Sequence, residues 1–182
     1  MILRTRKSFG TLLFSLITLT CFSQEFNDSI MNKVLFDEIM SYTMKRDSTV
    51  KLYYSNIGEE LYSQGGIDYI KKHGFGHRPT HIYFHMISDD DNELILEELN
   101  IENVYRSNLR QSEILARIGI WEQTTYQDVA KRAINGWLNS PGHAGSIKNL
   151  GKRSKFEVIS ISSYYDKDRK SIFISLTNFG MF

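Results

Sequence analysis

The chain has 182 residues, 41% of them hydrophobic and 24% charged, which is enough apolar material for one substantial core and too little length for two. Its 22 basic and 21 acidic residues nearly cancel, so the dense basic footprint of a nucleic-acid-binding protein is absent. A single cysteine excludes an intramolecular disulfide framework.

Residues 1–23 read as an export signal. Arg4, Arg6 and Lys7 form a positive n-region, Leu12 to Leu19 an apolar h-region, and Cys21-Phe22-Ser23 places small side chains at the −3 and −1 sites for cleavage after Ser23. The apolar run, roughly eight to ten residues, is shorter than the 18 to 20 a membrane-crossing helix needs. Lipid attachment at Cys21 is the alternative, although Thr18-Leu19-Thr20 departs from a lipoprotein signal. Cleavage would leave 19 basic against 21 acidic residues, a formal charge of −2, and no cysteine. The exported domain would then rest on its core alone. Residues 24–29 are a polar lead, and the domain proper is expected over 30–182.

The spacing of Met31, Val34, Leu35, Ile39 and Tyr42 behind Asn27 or Asp28 predicts a first helix, followed by a charged connector over Lys45–Thr49. The stretch KLYYSNIGEELYSQGGIDYIKKHG predicts a second helix with Ile57, Leu61 and Tyr69 on one stripe and Gly74 as its stop. Gly65-Gly66 in its middle costs about 1 kcal/mol per residue against alanine, which points to close backbone packing or a break. GFGHRP is a turn, and SDDDNELILEELN is a short helix with an acidic start, ending near Asn100. IENVYRSNLRQSEILARIGIW is ambiguous. TTYQDVAKRAINGWLNS is the clearest helix, with a Thr-x-x-Asp start at Thr125, Val129, Ala133 and Trp137 at four-residue steps, and Pro141 as its stop. At the C-terminal end the period changes to two in FEVISIS and SIFISLTNF, joined by the polar YYDKDRK, which predicts a β-hairpin. Helices followed by antiparallel strands imply an α+β layer structure.

His73, His77, His81 and His85 recur at steps of four, but Pro79 and the glycines around it prevent the single helix that would align them as ligands. The pair His81 and His85 lacks the glutamate of a metalloprotease H-E-x-x-H. His77 differs because its Gly-rich turn can fix an imidazole in one direction. Glu102, in NIENVYR, is a helix-start anion or a buried acceptor, and the pattern does not choose between them. Pro141 and Gly142 set the angle at which His143 leaves the preceding helix. Ser140 lies three residues before His143, yet no G-x-S-x-G elbow surrounds it.

The segment AINGWLNSPGHAGSI resembles the bacterial form of the CAP superfamily signature (cysteine-rich secretory proteins, antigen 5, pathogenesis-related group 1, or SCP-like domains). Other landmarks follow in family order: VKLYYSNIGEEL, FGHRP, IENVY and SIFISLTNFG, together spanning about residues 30–182. The resemblance implies a three-layer α-β-α sandwich with a central antiparallel sheet and a cleft collecting histidines and glutamates, sometimes around a divalent metal. It assigns His77, Glu102 and His143 to that cleft as tentative metal ligands, with Asn103 and Ser140 beside them. A second glutamate has no match, since Ser140 stands near its place. Ile101, Ala144 and Gly145 depart from the family pattern, and Ser107 to Trp121 looks like an insertion.

The expectation is therefore an exported, non-enzymatic or enzymatically unproven domain at or outside the cell envelope. It would bind a divalent cation such as zinc, or a small or lipidic ligand, with no nucleic acid and no transmembrane span. The alternatives are a metal-dependent envelope hydrolase with Glu102 as general base, and a protein-binding module using Tyr164 and Tyr165 at the hairpin tip.

Overall fold

Asn27 begins the first helix by accepting a hydrogen bond on its side chain from the Ile30 N–H, and α1 runs over Asp28–Arg46. The computed structural model of the chain describes residues 26–79, 88–100, 110–152 and 156–180. The expected export signal over residues 1–23 lies outside them. Part of the polar lead does not: Phe26 packs on Tyr126 and Tyr165, and the Asn27 N–H donates to the Tyr126 hydroxyl at 2.8 Å.

Strand β1 occupies Lys51–Tyr54, so the predicted second helix starts later than its pattern suggested. It is capped by Ser55 and has three consecutive segments, together named α2: Asn56–Gly58, a π-helical stretch Glu59–Ser63, and Gln64–His73. A π-helical turn holds extra chain and rotates all that follows. Leu61 is accordingly 44% exposed, and the buried face past the turn is Ser63, Gly66, Ile67 and Ile70 rather than the expected Ile57, Leu61, Tyr69 stripe. Gly74 ends the helix at φ +88°, a left-handed conformation suited to glycine.

Helix α3 covers Asp89–Glu98, capped by Ser88. The segment expected to be an insertion instead contributes a ten-residue strand, β2, over Arg110–Gly119. Helix α4, Tyr126–Asn139, starts with a full capping box between Thr125 and Asp128. A short helix α5, Ala144–Lys148, follows, then β3 over Phe156–Asp166 and β4 over Ser171–Gly180. The sheet order is β1-β3-β4-β2. It is antiparallel through β3, β4 and β2, while β1 joins its edge parallel to β3.

Alternation along the strands builds three layers. One face presents Ile114, Ala116, Ile118, Ile159, Ile161, Ile172, Ile174 and Leu176 to α1 and α4, and with Met31, Leu35, Ile39, Val129, Ala133 and Trp137 this makes the main core. The opposite face is covered by α2 and α3: Ile67 and Ile70 meet Leu115 and Phe173, and Ile95 meets Val158 and Phe179. The serines that alternate with isoleucine therefore do not face water. Ser160, Ser162, Ser175 and Thr177 are buried, in small side chains that let the sheet approach Gly58 and Gly66 of α2. The fold is the expected α+β sandwich.

Candidate functional site

Two turns on separate parts of the chain are each tied down before their imidazoles meet. In the first, the Gly74 N–H returns to the Ile70 carbonyl at 2.9 Å, the Phe75 ring lies 5.8 Å from that of Phe173, and the Arg78 guanidinium donates to Glu113 Oε1 at 2.9 Å. His77 lies between these anchors. In the second, the N–H groups of His143 and Ala144 both donate to the Ser140 carbonyl, at 3.1 and 2.8 Å. Ile147 is buried in the main core, and the hydroxyls of Ser146 and Ser112 are 3.0 Å apart. The Ser-Pro-Gly bend thus fixes His143 relative to β2.

The Nε2 atoms of His77 and His143 are 3.2 Å apart. His77 Nδ1 lies 3.4 Å from Glu113 Oε2. Glu113 rises from β2, and its side chain is only 2% exposed, whereas that of His77 is 41% exposed. Besides Arg78 and His77, the Ser175 hydroxyl donates to Glu113 Oε1 at 3.4 Å. A β-carbon on Gly66 would lie 2.6 Å from Glu113 Oε1 and 2.3 Å from Ser175 Oγ. The bare backbone of α2 is the floor on which the carboxylate sits, which accounts for one glycine of the Gly65-Gly66 pair.

Hydrogen bookkeeping orders the pair. An ionised Glu113 only accepts, so it receives the Nδ1–H of His77 and leaves His77 Nε2 as a lone pair in the neutral tautomer; His143 then donates its Nε2–H to it. Burial holds the pKa of His143 below the ordinary histidine range, and a charge on His77 would add to that depression. Both effects favour the neutral form of His143, the form in which imidazole binds metals.

Of the residues singled out in the sequence, His77 and His143 come together. Ser140 is beside His143, and its carbonyl closes the turn. Glu102 and Asn103 lie outside the described residues, as do His81 and His85. His73 lies at the end of α2 with its ring 4.6 Å from that of Tyr69 and takes no part. Glu113 was missed, because the stretch around it resembled an insertion. The alternation of Glu113 and Arg117 with Ile114, Ala116 and Ile118 is interrupted by apolar Leu115, so it does not by itself distinguish a strand from a helix. Tyr164 and Tyr165 are not a free aromatic tip: Tyr164 stacks on Phe173 under the Lys71 ammonium, and Tyr165 packs on Phe26.

A metal ion fits the facing nitrogens in chemistry and spacing. Two imidazole nitrogens bound to one tetrahedral zinc at ordinary bond lengths are about 3.3 Å apart. Among the described residues no cluster of three or more His, Cys, Asp or Glu side chains is arranged to hold a metal, so the described protein donors would be the two imidazoles. Glu113 contacts the far nitrogen of His77, which is the outer-shell position that orients a ligand and raises its basicity.

Among the described residues no helix is long and apolar enough to cross a membrane. No family model and no curated protein matches the sequence. Among solved structures, the fold is similar to that of an outer surface protein from Borrelia burgdorferi, at 18% sequence identity and a TM-score of 0.54, over 86% of this chain and 97% of that one. At that identity the likeness shows the shared α+β architecture alone.

Proposed function

We propose that the domain is exported to the cell envelope or beyond it, and there holds a divalent transition-metal ion such as zinc between His77 and His143. The observation that carries this reading is the 3.2 Å approach of their Nε2 atoms, with Glu113 on the other nitrogen of His77. In this reading His77 binds through Nε2 while Glu113 holds its Nδ1–H, and neutral His143 binds through Nε2 once its single ring proton has moved to Nδ1, so uptake by the neutral pair releases no net proton. The ion would supply an exchangeable coordination position open to a small ligand. Export is supported by the leader, and the cleft by its resemblance to CAP domains, which also suggests Glu102 as a further ligand.

Calorimetric titration of zinc into the wild type, His77→Ala, His143→Ala, Glu113→Gln and Glu102→Gln tests it. One site is expected in the wild type and none in either histidine variant, with affinity lowered by about 10- to 100-fold in Glu113→Gln. Equal heats in wild type and His143→Ala, or no heat in either, would overturn the reading. Loss of affinity in Glu102→Gln would add that residue to the site.

A further inference from the structure

A second polar centre, separate from the histidine pair, lies where the π-helical turn of α2 meets the edge of the sheet. Glu59, the first residue of that turn, is half-buried, and its carboxyl is held by protein groups. The amide of Asn32 on α1 donates to Oε1 at 3.0 Å, and the Ser162 hydroxyl of β3 also bonds the carboxyl. The phenol oxygen of Tyr54, the last residue of β1, makes a short hydrogen bond with Oε2. That same phenol oxygen is 2.9 Å from the carbonyl oxygen of Ile161 on β3.

These contacts contain one hydrogen too few for an ionised acid. A phenol carries a single O–H, and a backbone carbonyl and a carboxylate can only accept. If Tyr54 gave its hydrogen to an ionised Glu59, its oxygen would face the Ile161 carbonyl with no hydrogen between them, two lone-pair-bearing atoms at hydrogen-bonding distance. If Glu59 is a neutral acid, its O–H donates to the Tyr54 oxygen, and Tyr54 donates onward to the Ile161 carbonyl. Each contact is then satisfied.

We propose that Glu59 carries a proton in the folded protein and that the chain Glu59 to Tyr54 to Ile161 is a protonation-dependent latch, fastening the π-helical turn to β1 and β3. The surroundings agree with the geometry. Burial pushes the pKa of Glu59 upward, outweighing the bonds from Tyr54, Ser162 and Asn32 that favour the anion, and the neighbouring charge, Glu60, repels a second negative charge. The groups facing the carboxyl from α1, β1 and β3 are thus an amide, a phenol and a hydroxyl, and none of them is a cation. The Tyr54 phenol is likewise raised, by burial and then by Glu59, so it stays protonated as a donor.

The sign of the resulting pH dependence is fixed. The folded state binds this proton more tightly than the unfolded chain, so the latch contributes its full stability below the ordinary glutamate range and loses it as pH rises through the folded-state value. Release would free the turn that leads into Gly66, and hence into the seat of Glu113.

Carbon-13 NMR of glutamate-labelled protein, with the Glu59 carboxyl assigned by its loss in Glu59→Gln, tests the proposal directly on the wild type. The Glu59 signal is expected to titrate at higher pH than the solvent-exposed glutamates in the same spectrum. Titration together with them or below them would overturn it. In Glu59→Gln the amide N–H replaces the acid O–H as donor to Tyr54, so the loss of stability with rising pH assigned to this group should vanish. Persistence of the same loss in a folded Glu59→Gln protein would also overturn the proposal.

Discussion

The indole N–H of Trp137 donates to the backbone carbonyl of Leu115 at 2.8 Å, and the ring is buried. This bond joins the last turn of α4 to edge strand β2. It lies six residues before His143 and reaches β2 two residues after Glu113, so one contact sets the distance between the Ser-Pro-Gly bend and the carboxylate that orients His77.

Trp137→Phe keeps an aromatic ring but leaves the Leu115 carbonyl without its donor. A buried acceptor left unpaired costs about 1–3 kcal/mol. Urea denaturation should show an unfolding free energy lower by that amount, and zinc affinity should fall as well, because the mutation loosens the geometry of the histidine pair. Unchanged stability would show that the indole N–H contributes nothing.

Two glycines on helices should respond oppositely to the same change. Gly66→Ala places a methyl within 2.6 Å of Glu113 Oε1 and 2.3 Å of Ser175 Oγ, an overpacking that costs about 1–3 kcal/mol and should displace Glu113. Gly136→Ala on α4 meets nothing within 4 Å and should stabilise by about 0.4–1 kcal/mol through the unfolded chain. Thermal denaturation of both variants gives the comparison, and two shifts of the same sign would contradict it.

The capping box of α4 offers a smaller effect. Thr125 Oγ1 accepts from the Asp128 N–H at 3.2 Å, and Asp128 Oδ2 accepts from the Thr125 N–H at 3.0 Å. Thr125→Ala should cost about 1 kcal/mol, and Thr125→Ser should restore most of it. Both are read by chemical denaturation.

Glu98 gives a pH prediction of opposite sign to that for Glu59. Burial alone would raise its pKa, but the Ser55 hydroxyl, the backbone N–H and side chain of Asn56 and the Ile57 N–H all donate to it and shift it below the ordinary glutamate value. A depressed folded-state pKa stabilises above the unfolded value and is lost as pH falls through the folded one. Acid denaturation of Glu98→Gln should therefore lack that component of the decline below the ordinary glutamate range. An unchanged acid limb would refute it.

The helices α1, α3 and α4 and the terminal hairpin were legible in the sequence, because Asn27, Ser88 and Thr125 cap them chemically and the apolar residues keep a single period. Gly-His-Arg-Pro and Ser-Pro-Gly-His each marked a turn that can aim a side chain, but that His77 and His143 share one cleft was implied only by the resemblance to the CAP pattern. Three features were hidden. The π-helical turn in α2 breaks the 3.6-residue pattern, so Ile57, Leu61 and Tyr69 gave a false stripe. Lys51–Tyr54 is too short to show its own period beside a helix. Glu113 sits in a strand whose Ile-Leu-Ala-Arg-Ile run reads equally as helix or strand until β4 is placed beside it. Close packing at Gly66 was anticipated, but not that its occupant would be a carboxylate.

The π-helical turn between Glu59 and Ser63 also governs where this chain can tolerate a change of length. Because it holds one residue more than an α-helical turn, a one-residue loss there is taken up as the turn closes to regular helix, with Gly66, Ile67 and Ile70 keeping their face to the sheet. Divergent versions of this domain should therefore differ in length either in the exposed bend Lys167–Lys170 or by a single residue at this turn, and keep a fixed count elsewhere in the helix.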